Sequence, residues 1–158
     1  MSLTTIQANR PEITERLNQL AAKSGLHSLL VMQSTETQMI VFAANEQPIY
    51  SVDDAGPKSN QPGCHELYCE RVVNTQSELL VPDAQLDKAW EKNEDWVKFG
   101  LGVYYGVPII IDGIAIGTVC ALHNTAFDFA AGQPSIKAEI GQLKADIEAM
   151  IKSAAVAR

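Results

Sequence analysis

The chain of 158 residues is long enough for one domain, and its 46% hydrophobic and 20% charged residues are typical of a globular protein. Its formal net charge of −7, which no basic stripe offsets, argues against binding to nucleic-acid phosphates or to anionic membrane surfaces. No apolar run approaches the roughly 20 residues that a membrane-spanning helix needs. Three irregularly spaced cysteines favour reduced thiols and a cytoplasmic location over a disulfide framework.

The first predicted elements are a helix and a β-hairpin. The run Asn9-Arg10-Pro11-Glu12 combines a capping Asn, an early proline and a glutamate three residues after the cap, which is typical of a helix start. We expect this helix over residues 9–24, and Gly25 is a natural stop. Two β-like runs follow at 26–33 and 38–44, and the short polar connection between them predicts a hairpin.

The middle of the chain predicts a long loop and several short elements. Residues 53–63 are rich in Pro, Gly, Asn and Asp, and they form a connection too long for a tight turn, which favours a functional loop. An amphipathic helix over 65–75 and a brief strand over 79–81 come next. The polar segment 83–99 contains spaced aromatic residues and predicts one or two short helices that cover the sheet.

The most informative stretch runs from Leu101 to Leu122. Two apolar strands flank Asp112-Gly113, a dipeptide that supplies positive φ at both central positions of a type I′ hairpin turn. Such a turn fixes the register, so one bulky face would pair Ile111 with Ile114, Ile109 with Ile116, Val107 with Thr118 and Tyr105 with Cys120. The other face has a small middle, where we expect the terminal helices to approach Gly106, Ala115, Gly117 and Ala121.

The last segment predicts a helix over residues 135–154. Apolar residues recur along it at steps of 4, 3, 4 and 3, namely Ile136, Ile140, Leu143, Ile147 and Met150. This heptad seam fits a helix packed on its own sheet as well as it fits a dimerisation helix. Because the first helix is also apolar on one stripe, we predict a parallel homodimer through the terminal helices. Residues 1–158 show no repeat and no second domain.

Several short motifs also occur in a fixed order between residues 67 and 123. They are Leu67-Tyr68-Cys69-Glu70-Arg71-Val72-Val73, Leu79-Leu80-Val81-Pro82-Asp83-Ala84, Trp90 with Asn93 and Asp95, Gly100, Tyr105-Gly106-Val107-Pro108-Ile109, Asp112-Gly113 and Gly117-Thr118-Val119-Cys120. Together they resemble the GAF domain, and most closely the GAF sensor modules next to bacterial diguanylate cyclases and histidine kinases. The chain departs from that pattern in a shorter hairpin connection and in His123, where Asp is common.

The resemblance implies an α+β fold with a central, mainly antiparallel sheet of five or six strands, formed with its pocket by residues 26–123. The terminal helices would lie on one face, and pocket loops and short helices on the other. The ligand-binding residues would come from the bulky hairpin face and from the segments above it: Tyr68, Cys69, Trp90, Trp96, Phe99, Tyr105, Val107, Thr118 and Cys120.

The same resemblance implies a sensory module for signal transduction. It would bind an unidentified small molecule and relay its occupancy through the terminal helices to an output such as a histidine kinase or a diguanylate cyclase. The alternative is a dimerisation scaffold whose vestigial pocket is filled by its own side chains. The sequence identifies no cofactor.

Reactive residues are few. Cys64, His65 and Cys69 lack the paired spacing of zinc sites, and Cys64-His65 lies far upstream of the Cys-His pair that attaches bilins in phytochrome-like GAF domains. Free methionine sulfoxide reductases are GAF enzymes whose cysteines lie in the crossover loop, whereas 83–99 contains none. Because Cys69 and Cys120 fall on apolar faces, where a thiol is usually inert, we predict that the chain is not an enzyme.

Overall fold

A computed structural model describes residues 2–156, which have an α+β fold. The strands are β1 (Ser28–Ser34), β2 (Gln38–Ala44), β3 (Ala55–Pro57), β4 (Leu79–Val81), β5 (Val103–Ile111) and β6 (Ile114–His123). The helices are α1 (Arg10–Ser24), α2 (Tyr68–Thr75), α3 (Glu94–Phe99) and α4 (Ile136–Val156), with 3₁₀ segments at Leu3–Asn9, Ala84–Leu86 and Lys88–Trp90. None of these helices is both long enough and apolar enough to cross a membrane.

The strands form one six-stranded sheet in the order β3-β2-β1-β6-β5-β4, in which every neighbouring pair is antiparallel. The predicted fold class is therefore confirmed. Both predicted hairpins are present, and Asp112 (φ 51°) and Gly113 (φ 79°) form the two-residue turn between β5 and β6. Strand β3 lies inside the predicted loop 53–63; its sequence Ala-Gly-Pro has low strand propensity, and only the edge of β2 holds it there.

The predicted register of the β5–β6 hairpin is correct for Ile111 with Ile114 next to the turn but wrong from Ile109 onward. Ile110 pairs with Ala115 but Ile109 pairs with Gly117, so Ile116 is an extra residue that forms a β-bulge. From there on, Tyr105 lies opposite Ala121, and Val107 lies opposite Val119. Because side chains alternate along a strand, this one-residue slip exchanges the faces of β6 relative to those of β5.

One face of the sheet is covered by the 3₁₀ segment Leu3–Asn9, by α1 and by α4. The centre of the α4 seam is fully buried against this face, with Ile140, Leu143 and Ile147 all at 0% exposure, whereas Met150 at its end is half-buried. The seam therefore packs inside the domain. The alternative role that the sequence allowed for it, a dimerisation surface, would need other residues of the helix.

The small residues of the hairpin have different neighbours from those predicted. A Cβ at Gly117 would collide with the carbonyl oxygen of Met32 in β1 and would lie 3.1 Å from Leu3 Cδ1, so a strand backbone and the N-terminal segment approach it. Gly106 faces the opposite side of the sheet, where the Tyr104 ring lies directly over it. The prediction that terminal helices approach Gly106 is therefore wrong.

Candidate functional site

The sheet face opposite α1 and α4 encloses a cavity of about 290 Å³. Four strands supply its floor, and the floor side chains are Leu30, Met32, Met39, Val41, Tyr104, Cys120 and Leu122. The start of α2 supplies one wall with Leu67, Tyr68 and Cys69, and α3 supplies another with Glu94, Asp95, Lys98 and Phe99. The segment that leads from β2 into β3 completes the enclosure with Ile49, Tyr50, Asp54, Ala55 and Gly56.

A buried carboxylate fixes the α2 wall. Glu70 is only 3% exposed, and its Oε1 accepts hydrogen bonds from the backbone N–H groups of Leu67 (3.1 Å) and Ser59 (3.0 Å). The first bond caps α2 and the second ties it to the loop after β3. Because two separate segments share one carboxylate, the wall that carries Tyr68 and Cys69 is held rigidly over the sheet.

A tyrosine–carboxylate pair lies in the opposite wall. The Tyr50 hydroxyl donates a hydrogen bond of 2.6 Å to Asp95 Oδ1, and the Tyr50 and Phe99 rings meet edge to face at 5.9 Å. Burial raises the pKa of the Asp95 carboxyl above its usual range, although the Tyr50 hydrogen bond opposes the shift. Asn93 caps α3 by accepting from the Trp96 N–H (3.2 Å), and so it sets the position of Asp95.

The floor contains a buried hydroxyl group that lacks a partner. Tyr104 is 1% exposed, and its hydroxyl has no nitrogen or oxygen hydrogen-bond partner within residues 2–156; its polar neighbour is the Cys120 thiol. The Thr118 hydroxyl, on the same side of the sheet, is likewise unpartnered, but Thr118 does not line the cavity. Burial raises the pKa of the neighbouring Cys120 thiol to about 12, so at neutral pH it is uncharged and only a weak acceptor. An unsatisfied buried hydroxyl costs about 1–3 kcal/mol, which makes Tyr104 a candidate ligand contact.

Four of the nine predicted site residues line the cavity: Tyr68, Cys69, Phe99 and Cys120. Trp90 lies behind the wall, 1% exposed, where its ring packs edge-on against Tyr68 at 4.8 Å. Trp96 is also outside the cavity, packed against Gly102, where a Cβ would lie 3.0 Å from its ring. The two tryptophans therefore support the enclosure without lining it.

The prediction that Tyr105 and Val107 belong to the pocket floor is wrong. Both lie on the α4 side of the sheet, where Tyr105 packs near Phe129 and its hydroxyl donates to Glu78 (2.7 Å). The bulge at Ile116 is the cause, because it places Cys120 on the same face as Tyr104 instead of Tyr105.

Sequence reasoning missed the residues that give the site its polarity. Tyr104 would have been found if the bulge had been known, since it alternates with Tyr105. The sequence marks Asp95 only as part of a family motif in the covering segment 83–99. Tyr50 belongs to residues 45–54, which have no periodic pattern, so no signal in the sequence marks it.

Comparison with known proteins gives structural neighbours only. No family model matches the chain, and no curated protein matches it. A methyl-accepting chemotaxis protein fragment aligns with TM-score 0.69 and 12% identity, covering 99% of both chains. The GAF domain of an Acinetobacter phosphoenolpyruvate-protein phosphotransferase aligns with TM-score 0.62 and 15% identity over 97% of this chain and 85% of that one. At these identities the likeness shows the fold alone, and it confirms the predicted GAF-like fold.

The neighbours also include enzymes. Free methionine-R-sulfoxide reductase from Neisseria meningitidis, solved with its substrate, aligns with TM-score 0.65 and 14% identity over 99% of this chain and 87% of that one. The prediction that the chain is not an enzyme is therefore overturned, because the same fold occurs in free methionine-R-sulfoxide reductases as well as in GAF and chemotaxis-protein domains.

Proposed function

Because this chain has a GAF-like fold, we propose that it is a sensory module that binds a small organic ligand in the cavity between the sheet and helices α2 and α3. One observation carries the proposal: the cavity of about 290 Å³ has the buried Tyr104 in its floor, and the Tyr104 hydroxyl has no nitrogen or oxygen partner within residues 2–156. An apolar enclosure with a few directed polar groups is the usual form of a small-molecule site. The scaffold alternative requires a pocket filled by side chains, and this open volume argues against it.

The floor strands also offer a route for the signal. In β1, Leu30 lines the cavity while Leu29 and Val31 pack in the core below α1 and α4. In β6, Cys120 likewise lines the cavity while Val119 packs in the core on the other face. A ligand that prefers one arrangement of these strands would therefore shift the packing of the terminal helices, by as much as its differential affinity allows.

We propose that the terminal helices pass this change to a signalling partner domain, such as a histidine kinase or diguanylate cyclase output, in the cytoplasm. A parallel homodimer through the same helices remains a prediction. Since the α4 seam is buried, such a dimer would use the outward faces of α1 and α4.

The binding proposal is tested by a thermal-shift screen of a metabolite library, followed by calorimetry on the hits. Tyr104→Phe and Tyr105→Phe are a matched pair, because each removes one hydroxyl and the two rings lie on opposite faces of the sheet. We expect Tyr104→Phe to weaken a hit's affinity by about tenfold and Tyr105→Phe to leave it unchanged. A screen in which no compound stabilises the protein would reject ligand sensing.

A second candidate is reduction of a free sulfoxide, favoured by the two thiols, Cys69 and Cys120, that line one cavity. In that reaction a sulfoxide and two thiols give a thioether, a disulfide and water, and an external dithiol then reduces the disulfide. Burial raises the pKa of both thiols, which disfavours the reactive thiolate. Turnover of free methionine-R-sulfoxide with dithiothreitol, abolished by Cys69→Ser and by Cys120→Ser, would support this candidate; absence of turnover removes it.

A further inference from the structure

The Asp95 carboxylate in the cavity wall has few partners. Its one side-chain hydrogen bond comes from Tyr50, and no cationic side chain within residues 2–156 forms an ion pair with it. Lys98 is close in sequence, but its ammonium pairs with Glu94 at 3.1 Å and is largely exposed. An ionised carboxylate can accept about four hydrogen bonds, so Asp95 keeps acceptor capacity beyond the bonds from Tyr50 and from its own backbone N–H.

The charges around the cavity favour a cation over an anion. Three acidic residues line it, Asp54, Glu94 and Asp95, against one basic residue, Lys98. Since Lys98 is already paired with Glu94, the wall that holds Asp95 carries an excess of negative charge. A phosphate or carboxylate ligand would be repelled here, whereas a positively charged group would be attracted.

The remaining lining suits an organic cation with an apolar body. The rings of Tyr50, Tyr68 and Phe99 line the same cavity as Asp95, and aromatic faces attract ammonium groups through their quadrupoles. Opposite them, the floor is apolar and rich in sulfur, with Met32 and Met39 from adjacent strands. Methionine side chains adapt to the shape of an apolar group, so this floor would receive the hydrocarbon part of a ligand.

We propose that the ligand of this cavity is a small organic ammonium ion, with its charged group held by Asp95 among the aromatic rings and its apolar body on the methionine-lined floor. This inference rests on the proposed sensory function and names the chemical class that the site would recognise. Asp95 provides the charge, Tyr50 orients it, and Tyr104 offers a hydroxyl to a second polar group of the ligand.

The test compares matched probes that differ in charge. Phenethylammonium, 2-phenylethanol and 3-phenylpropanoate form one set, and hexylammonium, hexan-1-ol and hexanoate form another. Calorimetry with the full chain should give each ammonium ion an affinity at least about tenfold higher than that of its neutral partner, because a hydrogen bond to a charged group is lost in the alcohol. The anion should bind least. Asp95→Asn should remove the preference for the cation and leave the affinity for the alcohol nearly unchanged.

Glu91→Gln is the matched control, since it removes the same charge from an exposed residue of the same covering segment, outside the cavity. It should change the cation affinity by less than about threefold, as expected for an exposed charge. Equal effects of Asp95→Asn and Glu91→Gln, or equal affinities for cation and alcohol, would overturn the assignment while leaving the cavity as a binding site. Failure of all six probes would also overturn it, and the metabolite screen then decides separately whether the proposed sensory function fails.

Discussion

At the scale of single residues, the polar groups of the cavity lower the stability of the fold. Burial raises the pKa of Asp95, so the folded state resists its ionisation. Tyr104 buries a hydroxyl that has no nitrogen or oxygen partner in the part of the chain that the structure describes. Residues that lower the stability of the fold and make no compensating contact within it are characteristic of functional sites, where ligand contacts supply the missing interactions.

Asp95→Asn should therefore stabilise the protein at neutral pH. Between the unfolded pKa, near 3.8 as for a free Asp side chain, and the raised folded pKa, the folded state binds more protons, so wild-type stability falls as pH rises through this window. The uncharged Asn avoids that loss and can still accept the Tyr50 hydrogen bond. Urea denaturation at several pH values should show a gain that grows as pH rises through this window and is constant above it. A variant less stable than wild type at pH about 7 would show that Asp95 is not desolvated.

The matched tyrosines give a second residue-scale prediction. Tyr104→Phe should raise the free energy of unfolding by up to about 1–3 kcal/mol, because it removes an unsatisfied buried hydroxyl. Tyr105→Phe should lower it by about 0.5–1.5 kcal/mol, because that hydroxyl donates to Glu78. Chemical denaturation of the two variants measures both, and a loss of stability in Tyr104→Phe would mean that its hydroxyl is satisfied.

At the scale of elements, the turn could be predicted and the register could not. Asp112-Gly113 determines a two-residue hairpin through local φ preferences that the sequence shows directly. The bulge at Ile116 depends on how β6 fits between β1 and β5, which no local pattern records. The fold was therefore recognisable from its motifs, whereas half of the pocket floor was assigned to the wrong face.

Two glycine substitutions test the packing of these elements. Gly117→Ala should lower stability by about 1–3 kcal/mol, because a Cβ there collides with the Met32 carbonyl of the adjacent strand. Gly141→Ala, in α4, is the control: no atom lies within 4 Å of the added Cβ, so it should raise stability by about 0.5–1 kcal/mol through helix propensity. Denaturation midpoints that move together in either direction would contradict this assignment.

At the scale of the whole molecule, the cavity depends on segments distant in the chain. Tyr50 donates a hydrogen bond to Asp95, which lies 45 positions later in the chain. Tyr68 donates one to the Leu101 carbonyl, 33 positions later. Each segment looks like an ordinary loop or short helix by itself. The sequence therefore indicates a pocket through its resemblance to a family, but not that Tyr50, Asp95 and Tyr104 line it.

Whether the α4 seam packs within one chain or between two chains is also a question about the whole molecule. Leu143→Ala should lower the free energy of unfolding by about 2–5 kcal/mol, because Leu143 is fully buried in the core of its own domain. The difference from wild type should be the same at roughly 1 and 100 µM protein, since mass action affects only interfaces between chains. A difference that grows with protein concentration would place the seam between two copies.

The most direct test of ligand sensing is a crystal structure of the protein with the metabolite that stabilises it most in the thermal-shift screen. The sensory proposal predicts ligand density in the cavity between the sheet and helices α2 and α3, within hydrogen-bonding distance of the Tyr104 hydroxyl. A cavity closed by its own side chains, with the metabolite bound elsewhere on the surface, would contradict it.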